Sequence, residues 1–86
     1  MQKIIAVFGN RNQALQFATA LKKLGIRNKT IDTPRELSSS CGISIIFDGQ
    51  FFSKAKMILV RYKLYGNVKL YMITGDMFKK YHYINM

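Results

Sequence analysis

The sequence predicts an α+β fold with the element order β-α-β-β-α-β. Two stretches of helical apolar spacing are each preceded by a short run of β-branched and aromatic residues, and two more such runs follow the helices. The 86 residues have room for one domain with one modest core. Apolar residues make up 49% of the chain, so that core can form without disulfides or metals. The element order is that of a ferredoxin-like fold: a four-stranded antiparallel sheet with both helices on one face, because right-handed crossovers put both connections on the same side.

Each element has its own warrant. Lys3 to Phe8 is a β-branched run closed by Gly9-Asn10, which reads as a buried strand ending in a turn. Ala14, Leu15, Ala18 and Leu21, with Phe17 and Leu24 alongside, form the apolar face of a first helix. Asn10 or Asn12 is its candidate cap, Gly25 its stop, and Lys22 and Lys23 complement the dipole in its last turn. Ile26 to Ile31 alternates weakly, as an edge strand does. Periodicity then breaks from Thr33 to Gly42 and resumes in the strand Ile43 to Phe47. Asp48 is placed to cap a second helix whose buried face is Phe51, Phe52, Ala55, Ile58, Leu59 and Tyr62, with Gly66 ending it. Val68 to Ile73 is the last strand, so the expected domain is 1–75. Residues 76–86 form a basic aromatic tail that packs across the sheet, stays disordered or frames a partner site.

Fourteen Lys and Arg against four Asp and Glu give a formal charge of +10. That excess implies an anionic partner, with Arg11, Lys79 and Lys80 as candidate contacts, or else a surface that merely keeps the domain dispersed. No apolar run reaches membrane-spanning length and no secretory leader pattern opens the sequence, so the expectation is a cytoplasmic protein that does not engage a membrane. A reducing compartment also suits a lone cysteine, which has no internal partner for a disulfide.

That cysteine stands in Ser38-Ser39-Ser40-Cys41-Gly42, a concentration of small polar groups between two strands. Small side chains and Gly42 let the backbone turn sharply and present amide donors to an anion or a thiolate. Arg35 is the nearest cation in the chain for lowering the thiol pKa. The alternative is a structural thiol, since free cysteine is among the most buried residue types. Nothing nearby completes a catalytic set: His82 is the only histidine and lies in the tail, so a self-sufficient enzyme is not expected. One Cys, one His and four scattered carboxylates give no metal-ligand spacing, and no cofactor is expected. Gly9-Asn10-Arg11-Asn12 lacks the glycine pattern of a phosphate loop and reads as a turn and cap with Arg11 exposed.

The stretch from Pro34 to Phe47, Pro-Arg-Glu-Leu-Ser-Ser-Ser-Cys-Gly-Ile-Ser-Ile-Ile-Phe, resembles the hallmark of a small bacterial family described as selenium/sulfur-carrier-like. The resemblance extends over most of the chain, from the strand Ile4 to Phe8 through the alanine- and leucine-bearing helix into the Pro34 loop. It implies that Cys41 is the functional residue, with Arg35, Ser38, Ser39, Ser40 and Gly42 around it. The sequence departs from the pattern in being more basic and in carrying Lys79-Lys80-Tyr81-His82-Tyr83 beyond the last expected strand.

Two functions follow. In the first, Cys41 accepts sulfur or selenium from a donor enzyme such as a cysteine desulfurase and passes it to an acceptor, with the cationic surface docking an acidic partner or a tRNA. In the second, the domain is a basic RNA-binding module with a structural cysteine, reading bases on the open sheet face through Tyr71 and Phe47. A homodimer that hides the open face through Tyr71, Met72 and the tail is a further possibility.

Overall fold

The computed structural model describes residues 2–37, 42–75 and 78–85. These residues form one antiparallel sheet of five strands and two α-helices. The strands are β1 (Lys3–Phe8), β2 (Asn28–Asp32), β3 (Ile43–Asp48), β4 (Val68–Thr74) and β5 (Lys80–Ile84), in the spatial order β2-β3-β1-β4-β5. The helices are α1 (Arg11–Lys23) and α2 (Phe52–Arg61). The expected four-stranded ferredoxin-like sheet is thereby corrected to five strands. Residues 80–84 of the expected tail pair in register with β4, from Thr74 opposite Lys80 to Leu70 opposite Ile84. Strand alternation in Lys80-Tyr81-His82-Tyr83-Ile84 supports that pairing, because it sends Ile84 to the core side while Tyr81 and Tyr83 take the other side.

The core lies between the sheet and both helices. Ile4, Ala6 and Phe8 of β1, Ile45 and Phe47 of β3 and Val68 and Leu70 of β4 meet Phe17 and Leu21 of α1 and Ala55, Ile58 and Leu59 of α2 in one cluster. Phe17 sits at its centre, with its ring 5.3 Å from Phe8 and 5.8 Å edge-on to Phe47. Such tilted and edge-on pairs add about 0.5–1.5 kcal/mol each beyond the apolar area they bury. Phe47 is therefore a core residue and not part of the helix-free face on which the RNA reading placed it. Met72, opposite Ile4 in the register, also points to the helix side.

Other boundaries shift for local reasons. Asn10 is the α1 cap: its side-chain oxygen accepts the Gln13 N–H at 3.2 Å. At the other end Gly25 takes φ +74 and donates its N–H to the Lys22 carbonyl, as the sequence suggests. Leu15 and Leu24, assigned to the buried face, are exposed, and Ala20 is buried in their stead. Asp48 caps a single 3-10 turn (Gly49–Phe51) ahead of α2, accepting the Gln50 N–H at 3.1 Å. Helix α2 ends at Arg61, before Gly66, because Lys63 enters the left-handed region at φ 57 and Leu64 closes back onto the Leu59 carbonyl. Tyr62, expected in the core, is 40% exposed. No described helix is long and apolar enough to cross a membrane.

Candidate functional site

The connection from β2 to β3 leaves one end of the sheet, beside the turn that leads from β1 into α1. Its neck is pinned twice. Thr33 donates its backbone N–H to the Gly42 carbonyl at 2.9 Å, and the Thr33 hydroxyl lies 2.7 Å from that of Ser44. Ser44 is fully buried, so this contact gives a sequestered hydroxyl its partner. Gly42 sits at φ +73, a conformation that strains any residue with a Cβ. A Cβ there would meet nothing within 4 Å, so the demand for glycine comes from the backbone angle and not from crowding.

Within the loop, Arg35 opens a single 3-10 turn (Arg35–Leu37) closed by the Leu37 N–H on the Pro34 carbonyl at 2.9 Å. Arg35 is exposed. Ser38, Ser39, Ser40 and Cys41 lie outside the described residues. The strand register and the Thr33–Gly42 bond hold Gly42, the chain neighbour of Cys41, beside the end of β2.

The remaining sequence candidates are scattered. Arg11 is the first residue of α1, exposed, at the same end of the sheet as the loop neck. Lys79 and Lys80 are exposed at the opposite end, where β5 begins beside Thr74. The fold therefore does not gather Arg11, Lys79 and Lys80 into one patch. His82 is on β5, with its Nε2 2.8 Å from the Thr74 hydroxyl. Gly42 leads into β3, and three strand spacings separate β3 from β5 by about 14 Å. His82 is thus remote from Gly42. Among the described residues, no group of three His, Cys, Asp or Glu side chains is placed to hold a metal ion.

Two features were not anticipated from the sequence. The Thr33–Ser44 hydroxyl pair spans eleven residues and has no local signature. The other is the neighbouring rings of Tyr71 and Tyr83, 5.6 Å apart and edge-on, for which the strand alternation within 80–84 is the available sequence signal.

Fold and loop define a small α+β domain whose one cysteine follows a short turn in a pinned inter-strand loop. Residues 3–67 match the model of the family described as "Putative Se/S carrier protein-like", and the chain belongs to that family. The matched region runs from β1 to the turn before β4, includes the cysteine loop, and leaves β4 and β5 outside. Neither a curated protein nor a solved structure matches the chain.

Proposed function

We propose that this domain is a sulfur or selenium carrier that uses Cys41 as its acceptor and acts between a donor enzyme and an acceptor molecule. The observation that carries this reading is the family membership over a region containing the chain's only cysteine. The pinned neck supports it, since it fixes where the loop leaves and rejoins the sheet. The chemistry needs one accessible thiolate and no second thiol, because a neighbouring thiol would resolve the loaded form into a disulfide. In the loading step, the Cys41 thiolate attacks the terminal sulfur of a persulfide on the donor. A new S–S bond forms at Cys41, the donor's S–S bond breaks, and the donor cysteine leaves as thiolate. Unloading repeats the exchange with an acceptor nucleophile attacking the terminal sulfur, and Cys41 returns as thiolate. Arg35 and the amides around Ser38, Ser39, Ser40 and Gly42 are the groups proposed to favour the anionic sulfur.

The test is loading by a cysteine desulfurase with free cysteine, followed by mass spectrometry of the intact protein. A gain of one sulfur atom that vanishes on reduction and is missing in Cys41→Ser is the expected result. Alkylation by iodoacetamide should show an inflection below about pH 8.5, the ordinary thiol value. A thiol that takes up no sulfur and resists alkylation in the folded protein overturns the proposal.

A further inference from the structure

The sheet has one face without helices, and its composition is specific. The register aligns Lys29, Ile46, Ile5, Tyr71 and Tyr83 in a single row from β2 to β5. Tyr81 and Lys3 occupy the next row towards the end where β1 begins, and Lys69 the row on the other side. Three tyrosines therefore cluster where β4 meets β5. Tyr83 is 59% exposed and its ring is edge-on to Tyr71, while Lys3, Lys29 and Lys69 are all exposed. Beside Lys3 and Lys29, with Arg27 and Ile46, the surface forms a notch of about 310 Å³.

Charge on this face is predominantly positive, three lysines against Asp48, which stands opposite Lys3. Among the described residues Asp48 is the carboxylate that shares it by register, and an oxygen of that carboxylate already accepts the Gln50 N–H. Asp32 pairs with Ile43 and belongs to the helix side. Tyr71 and Tyr81 are half-buried beside exposed Tyr83, and lysines flanking such rings on a sheet form an arrangement that binds single-stranded nucleic acid, with bases stacking on the rings and phosphates meeting the cations. The rings lie on the adjacent strands β4 and β5, with Ile5 of the same row fully buried, so the stacking surface is the β4–β5 side of this face. A second copy of the chain is a poor occupant, because it would bring two bodies of charge +10 together across these same lysines.

We propose that the helix-free face of the sheet docks single-stranded RNA, with Tyr71, Tyr81 and Tyr83 stacking bases and Lys3, Lys29 and Lys69 contacting phosphates. This surface depends on β4 and β5, outside the family match, and needs nothing from Cys41. It gives part of the positive charge a location and makes the carrier's acceptor, or its docking platform, an RNA.

The experiment is fluorescence anisotropy on the full chain with a labelled single-stranded RNA of about twelve nucleotides, compared with a duplex of the same length. The single strand should bind more tightly than the duplex. Tyr83→Ala and Tyr81→Ala should each weaken it about ten-fold, and Tyr83→Phe, which keeps the ring, should not. Lys29→Ala should flatten the dependence of log affinity on log salt by about 0.7. Thermal unfolding of each variant establishes that it is folded, and Cys41→Ser should bind as the unaltered chain does, which separates this proposal from the carrier reading. Equal binding of single strand and duplex with no effect of the tyrosine variants overturns it. Sedimentation showing a dimer that Tyr83→Ala dissociates, with RNA without effect, assigns the face to a second copy and overturns it equally.

Discussion

Replacing Thr33 with valine keeps the branched shape of the side chain and removes one hydroxyl, which is the partner of Ser44 at 2.7 Å. Ser44 is 0% exposed, so after the change its hydroxyl is sequestered without that partner. An orphaned buried hydroxyl costs about 1–3 kcal/mol. For a domain of this size each kcal/mol corresponds to roughly 4–8 °C in Tm. Thr33→Val should therefore lower stability by about 1–2 kcal/mol and Tm by several degrees. Ser44→Ala removes the buried partner and leaves the Thr33 hydroxyl in a half-buried position, so its effect should be about 1 kcal/mol or less. The double variant removes both groups and should regain most of the loss, giving a coupling energy of about 1 kcal/mol or more. Urea unfolding monitored by circular dichroism measures all four corners of the cycle. If Thr33→Val is as stable as the unaltered chain, or if the two changes simply add, the hydroxyl pair does not pin the loop neck.

Three further outcomes follow from the fold. Gly75 stands at φ +91 in the turn between β4 and β5, where a Cβ would overlap the Phe78 carbonyl oxygen, so Gly75→Ala should strain the turn by about 1–3 kcal/mol. Hydrogen exchange should then rise at residues 80–84 by roughly ten-fold or more with β1 and β3 still protected; uniform exchange across the sheet would deny β5 its separate docking. Phe47→Ala should destabilise by about 3–5 kcal/mol, because the ring packs edge-on to Phe17 in the closed core, whereas exposed Tyr62→Ala should change stability by less than about 1 kcal/mol. Comparable effects in thermal unfolding would contradict this core. Asn10→Ala should lose about 1 kcal/mol with the α1 cap, and Asn12→Ala much less; a larger effect at Asn12 would move the cap.

Much of the architecture was legible because it rests on local signals. Lys3 to Phe8 is almost wholly apolar, as expected of a central strand buried on both faces. Asn10 and Gly25 bracket α1 by chemistry that needs no tertiary partner, a side-chain acceptor at one end and a left-handed residue at the other. The Pro34 to Phe47 segment carried the family resemblance in its own residues, and the family match over 3–67 agrees with it. At the candidate site, the sharp turn at Gly42 was likewise accessible from residue type.

What the amino-acid sequence determined by itself was the α+β class, the order of its first elements, the family, and the single thiol with its loop. Tertiary structure alone decided the number of strands, which face each strand residue takes, and which side chains meet. Residues 80–84 are too short and polar to form a strand in isolation and gain their hydrogen bonds only because β4 offers an unpaired edge. Phe47 and Tyr71 both read as strand aromatics, but the register sends one into the core and the other to the helix-free face, since pairing fixes the side on which every alternate residue falls. Thr33 and Ser44 meet because β2 and β3 pair, and Tyr71 and Tyr83 because β4 and β5 do. Contacts between residues distant in sequence have no local propensity to announce them, and both the pinned loop and the proposed RNA surface are made of such contacts.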